Sequence, residues 1–186
     1  MQYLRRFFCV IIAAAMIIGG QIIHADTEYV IFSERDNIKA QDMRKKSQVT
    51  EEQLRAYLQR FPNLSGTGIE GALIEAQNEY NVNAILILAI IRLESGNGRS
   101  SLARNNNNLG GIVAPSGSVA VYRSFDSKRD CVIFMARLLG EHYLSEGGRF
   151  FNGYTLTDIN KKYSVSDTWS TKVSDIMYEI EWRLSE

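Results

Sequence analysis

Cysteine, histidine and net charge are all scarce in this chain, and each scarcity closes off a class of function. Only two cysteines, Cys9 and Cys131, occur in 186 residues, and Cys9 lies in an apolar N-terminal run. If that run is removed on export, one thiol remains, so no internal disulfide can form. Cys131 then reads as a small buried hydrophobe. His24 and His142 are the only imidazoles. Zinc sites draw on clusters of His and Cys, so no metal centre is expected. A cysteine–histidine dyad fails on distance, because Cys131 and His142 share one expected helix and sit about 16 Å apart along its axis. Basic and acidic side chains balance at 21 each, so no basic surface for nucleic acid is implied.

What is present begins with a leader. Arg5 and Arg6 precede an apolar run from Phe7 to Gly20, and Ile23-His24-Ala25 supplies a small residue before Asp26. Residues 1–25 are therefore read as a signal peptide, with an uncleaved N-terminal anchor as the alternative. Either way the remainder is expected outside the cytoplasm, secreted or wall-associated, with membrane contact only through an uncleaved segment. Residues 26–48 mix charges with few apolar positions and no sustained period, which predicts a flexible leader. The folded body is placed at 49–186.

Within that body the apolar periodicity is helical. Thr50-Glu51-Glu52-Gln53 has the form of a capping box, and Leu54, Tyr57 and Leu58 make the stripe of a short helix that stops before Pro62. Ile69, Ala72, Leu73, Ala76 and Tyr80 line one face of a second helix. Asn83 can cap a third, Ala84 to Glu94, whose first eight residues are apolar all round, the mark of a buried central helix. Ser95 to Gly111, rich in Gly, Asn and Ser, reads as loop. Ile112 to Phe125, with a Pro115-Ser116-Gly117 turn, predicts a small hairpin. Ser127 opens a helix with the stripe Val132, Met135, Leu138, Leu139 and Tyr143; Thr155 opens a short one. Trp169, Val173, Ile176 and Ile180 stripe the last. The fold class is mainly α (α+β), with a cleft beside the small hairpin lobe.

Glu94 is the most informative residue. It stands where the greasy helix runs into the bend Ser95-Gly96-Asn97-Gly98, at the negative end of the helix dipole, which opposes ionisation. A wedged, protonated carboxyl that still reaches a substrate suits a general acid. The run Leu93-Glu94-Ser95-Gly96-Asn97-Gly98-Arg99-Ser100-Ser101-Leu102-Ala103, then Asn107-Asn108-Leu109-Gly110-Gly111-Ile112, resembles the signature of bacterial endo-β-N-acetylglucosaminidases of glycoside hydrolase family 73. That family includes autolysins and the flagellar peptidoglycan hydrolase. The resemblance takes in Tyr80-Asn81-Val82-Asn83, Phe125-Asp126-Ser127, Tyr154 and the Tyr163 to Val173 segment, so it covers roughly Thr50 to Ile180.

The resemblance implies a lysozyme-like α-lobe with a small β-hairpin lobe, and hydrolysis of the β-1,4 bond after N-acetylglucosamine in peptidoglycan strands. It makes Glu94 the catalytic acid and places Tyr163 beside it. Asn108, Tyr122 and Trp169 become candidate substrate-binding residues, although by pattern alone Trp169 is a core residue. A monomer without metal or cofactor is expected. Two departures stand out: family members commonly carry an aromatic at the position of Asn97 and a phenylalanine at that of Gly110. No second carboxylate is evident, since Asp126 and Asp130, the nearest downstream acids, sit at a helix start as caps. Substrate assistance by the sugar N-acetyl group is one answer. The alternatives are a lytic transglycosylase or muramidase of the same fold, and a non-catalytic wall-binding or assembly protein.

Overall fold

The computed structural model describes residues 34–114 and 121–186, and residues 35–186 form one compact unit. The expected signal peptide, leader residues 26–33 and the Pro115-Ser116-Gly117 turn lie outside the described residues. After a short helix α1 over residues 34–40 come α2 (Glu51–Leu58), α3 (Ile69–Tyr80), α4 (Ala84–Ser95), α5 (Ser101–Asn105) and α6 (Lys128–Leu138). A π-helical turn over Leu139–Tyr143 extends α6, and α7 (Leu156–Tyr163) and α8 (Trp169–Ser185) complete the fold. Among the described residues no helix is long and apolar enough to cross a membrane.

Helix α4 is the hub. Its residues from Ala84 to Ile91 are at most 5% exposed, because α3, α6 and α8 pack around it. Asn83 starts it as expected, its side chain accepting from the backbone N–H groups of Ile85 and Leu86. Thr50 and Thr155 close capping boxes with Gln53 and Asp158, and Ser127 caps α6. Where α6 passes α3, Gly140 presses on the main chain of Tyr80. A Cβ there would meet the Tyr80 carbonyl oxygen at 2.6 Å, so the contact requires glycine.

Three sequence expectations are corrected. Residues 35–48 are not a loose leader: Ile38 and Met43 are core residues, 3% and 1% exposed. Met43 is held by main-chain bonds to Tyr154 and Asn83, and the Gln77 side chain takes the Ser47 N–H and hydroxyl while donating to the Ser47 carbonyl. Two isolated apolar residues produce no periodicity, so the pattern alone could not reveal this strap. The stretch Ser95 to Gly111 is not all loop, since Ser100 caps the one-turn α5. The hairpin lobe shrinks, among the described residues, to one antiparallel bridge between Val113 and Tyr122, flanked by Ala114 N–H to Val121 O at 2.7 Å and Arg123 N–H to Ile112 O at 2.8 Å. Val113, Val121 and Tyr122 are about half exposed, so this ribbon lacks the packed apolar face a wider sheet would need.

Asparagine amides hold the ribbon in place. Asn108, 1% exposed, donates to the carbonyls of Ile112 (2.8 Å) and Arg123 (2.9 Å) and accepts from the Ile112 N–H (2.9 Å). It therefore fastens both arms. Asn106 donates to the Ser124 hydroxyl, and Asn107 to the carbonyls of Phe125 and Asp126.

The exposed end of α4 is locked from below. Arg92 bonds Glu179 of α8, the Tyr57 hydroxyl of α2 and Asn97 Oδ1, while Tyr57 donates to Glu179 at 2.6 Å. Arg60 adds a second cation to Glu179 at 3.0 Å. Burial works against the charge on Glu179, yet its bonds from Tyr57, Arg92 and Arg60 hold the carboxyl below its ordinary 4.5. The network also accounts for the first departure. Asn97 adopts a left-handed φ of 59°, which asparagine tolerates far better than a bulky aromatic.

Glu179→Gln is expected to lose about 1–3 kcal/mol at neutral pH in urea unfolding, because Arg92 keeps its buried position with a weakened partner. A depressed folded-state value stabilises the fold above the unfolded-state value near 4.5, and that contribution disappears on acidification. The gap between variant and wild type therefore narrows below about pH 4.5. Asn108→Ala, which strands the Ile112 N–H and the Arg123 carbonyl while the Ile112 carbonyl keeps the Arg123 N–H, is expected to cost about 1–3 kcal/mol and to speed amide exchange at Ile112.

Candidate active site

Helix α4 ends because Gly96 turns left-handed, φ 59°, with its N–H returning to the carbonyls of Arg92 and Leu93. Ser95 braces the turn from inside: its hydroxyl donates to Ile91 O at 2.6 Å and accepts from the Gly98 N–H at 2.7 Å. The bend leaves Glu94 beyond the last buried turn, at the mouth of a cleft of about 550 Å³. Glu94 is an exposed residue. The buried, wedged carboxyl inferred from the sequence is thus corrected: the helix is dry to Ile91 and wet at Glu94.

Residues Gly110 to Val113 line the cleft together with Phe134 and Leu138 of α6, Tyr143, Phe150 and Tyr163. Glu94 is the sole carboxylate among the lining residues, and Asp130 is occupied with its own cap, Ser127. At the second departure Met135 packs against the glycine: a Cβ at Gly110 would lie 2.8 Å from Met135 Sδ, so a larger side chain there requires the methionine to move.

Tyr163, the last residue of α7, reaches the cleft beside Glu94. Burial first, then the negative charge of Glu94, pushes its phenol above the usual range. It remains a neutral hydrogen-bond donor. Its ring stacks on Trp169 at 4.6 Å with 28° between planes, and meets Tyr143 at 5.5 Å. Trp169 is 5% exposed, and its indole N–H donates to Glu94 Oε1 at 3.0 Å. A ring so covered is no open platform for a sugar. It is fixed by Asn160, which donates to the Ser166 carbonyl and accepts from the Ser170 N–H, tying α7 to the first turn of α8.

The remaining candidates divide. Asn108 is buried with its amide spent on main-chain bonds, so it shapes the cleft wall and does not face a ligand. Tyr122 is 51% exposed on the ribbon, outside the residues that line the cleft. Cys131 is buried, accepts from the Leu109 N–H at 3.2 Å, and is pushed up to about 11 by burial, in keeping with an inert packing role. Sequence reasoning missed Phe134 and Phe150 as cleft residues. Phe134 had a usable signal, since it falls off the apolar stripe of α6. Among the described residues no cluster of His, Cys, Asp or Glu could hold a metal ion.

The arrangement offers one exposed carboxyl oriented by an indole, a neutral phenol beside it, and an aromatic trough. Such a site can donate and retrieve a proton against a ligand with apolar sugar-like faces. Comparisons with known proteins place the fold and the family. Two solved structures of S. aureus autolysin E superpose well: one covers 90% of this chain and 83% of its own at TM-score 0.62 and 19% identity, and a catalytic mutant solved with the disaccharide NAG-NAM gives TM-score 0.61, 80% of this chain and 73% of its own, also at 19% identity. The catalytic domain of the Listeria monocytogenes autolysin Auto matches at TM-score 0.54 and 16% identity, over 89% of this chain and 99% of that one. These share the fold. In sequence, 111 residues are 31% identical to a Streptococcus pneumoniae protein named "Putative endo-beta-N-acetylglucosaminidase", covering 59% of this chain and 17% of that protein. The chain thus spans about a sixth of that relative's length. The model of the glucosaminidase family, described as mannosyl-glycoprotein endo-beta-N-acetylglucosaminidase, matches residues 70–182, most of the folded body, and the chain belongs to that family.

Proposed function

We propose that this chain is an exported peptidoglycan hydrolase that cuts the β-1,4 bond after N-acetylglucosamine, with Glu94 as general acid. The observation that carries the reading is a single carboxylate, held by an indole, in an aromatic-lined cleft of a glucosaminidase-family fold. Relatives of the same fold have been solved with NAG-NAM and with a muropeptide, which supports a glycan strand as the ligand here.

The cleft has room for sugar rings against Phe134, Phe150 and Tyr143, whose faces suit the apolar side of a pyranose. A strand lying there would cover Glu94 and exclude water from the scissile bond. Glu94 gives its proton to the glycosidic oxygen as that bond breaks. With no second carboxylate lining the cleft, the acetamido carbonyl of the same N-acetylglucosamine attacks the anomeric carbon and closes an oxazolinium ring. Water then opens the ring, and the Glu94 carboxylate takes its proton. Tyr163, a neutral donor at the site, bonds the acetamido group or the incoming water. Tyr122, on the ribbon next to Val113, extends the strand-binding surface beyond the cleft.

Glu94→Gln is expected to lower the release of reducing ends from purified peptidoglycan by about 10²- to 10⁴-fold while leaving thermal unfolding unchanged. For the wild type, new reducing ends on N-acetylglucosamine support the proposal. New ends on muramic acid make the protein a muramidase, and anhydro ends a transglycosylase. A wild type that binds strands without producing any ends is a wall-binding protein.

A further inference from the structure

Trp169 presents a chemical puzzle: a nearly buried indole, 5% exposed, spends its one N–H on an exposed carboxylate, Glu94 Oε1, at 3.0 Å. Core packing alone would be served by phenylalanine. An indole N–H only donates, so it makes the two oxygens of Glu94 inequivalent, with Oε1 engaged as an acceptor and Oε2 left free.

We propose that Trp169 is the positioning residue of the reaction, pinning Glu94 through Oε1 so that Oε2 carries the proton delivered to the glycosidic oxygen. The assignment rests on the reading of Glu94 as the general acid and adds which oxygen acts and what aims it. An exposed glutamate otherwise samples several rotamers, and fixing one puts the donor at the reacting atom before substrate arrives. The indole itself cannot drift. Tyr163 covers one face at 4.6 Å, and Asn160 clamps the backbone at Ser166 and Ser170 on either side of it. Other charged neighbours are already committed: Arg92, half a turn earlier on α4, is taken by Glu179, Tyr57 and Asn97. Among the residues lining the cleft there is no lysine, arginine or histidine. The indole is therefore the one side chain seen to hold Glu94 among the described residues.

The experiment separates aiming from binding. Trp169→Phe keeps an aromatic ring under Tyr163 and removes the N–H. To guard against misfolding, a second protein carries benzothienylalanine at 169, which keeps the indole shape with sulfur in place of N–H. It is made in a Trp182→Phe background, since Trp182 is the only other tryptophan and stands 46% exposed, away from the cleft. The expected result in both is a kcat on defined glycan oligomers lower by roughly tenfold or more, with KM within twofold and unfolding temperature unchanged for the benzothienyl protein. A benzothienyl protein with full kcat overturns the proposal. So does a rise in KM at constant kcat, which would make Trp169 a sugar-binding surface. Glu94→Gln measured alongside keeps the two ideas apart: if it retains kcat, the general-acid reading fails, whereas a dead Glu94→Gln with unaffected Trp169 variants sinks only the assignment made here.

Discussion

The all-round burial of α4 is the constraint on which the rest depends. Eight consecutive apolar residues, Ala84 to Ile91, can be satisfied only by a helix enclosed on every side, and enclosure by α3, α6 and α8 fixes its axis. A helix so held emerges at a set place and angle. Arg92 and Glu94, its first charged residues, appear where the packing stops, one turned toward α8 and the other toward the cleft. The site is in this sense a boundary effect: the first carboxylate after the core ends is the one that lines the cleft.

Around that point the fold uses buried amides where a disulfide-bonded protein would use cystines. Gln77 and Asn83 strap residues 43–47 onto the start of α4. Asn108 fastens the ribbon that forms one cleft wall, and Asn160 joins α7 to α8. Each is at most 8% exposed and answers main-chain groups that would otherwise be buried without partners, a costly state. The same chemistry makes these residues poor ligands for a sugar, because their donors and acceptors are already used.

The helices were legible in the sequence because their signals are local. Thr50, Asn83, Ser127 and Thr155 announce helix starts through side chains that act on residues two or three positions on, and the stripes of α3 and α8 repeat at helical spacing. The position of Glu94 at the end of the apolar helix was legible, but its environment was not. Burial of a helix end depends on what lies opposite, and nothing near Glu94 in sequence states that the cleft is open there. Asn108 was illegible for a related reason: an amide suits glycan hydroxyls and peptide groups equally, and only the placement of Ile112 and Arg123 decides between them. Trp169 combined the two readings, core by pattern and site by resemblance, because a buried ring can reach the site through one N–H. The strap at 35–48 was invisible since it contributes single apolar residues to a core that others build.

A cleft with one carboxylate narrows the chemistry. Retaining hydrolysis by two carboxylates needs a nucleophile about 5–5.5 Å from the acid, and inversion a base about 6.5–9.5 Å away; the residues lining this cleft supply neither. In the proposed mechanism the sugar's own acetamido group is therefore the nucleophile. The most direct test is the anomeric configuration of the freshly released N-acetylglucosamine end, followed by NMR, together with mass spectrometry of enzyme quenched during turnover. Retained configuration with no sugar attached to the protein is the result this account requires. An inverted product, or a covalent glycosyl ester on any side chain, would contradict it.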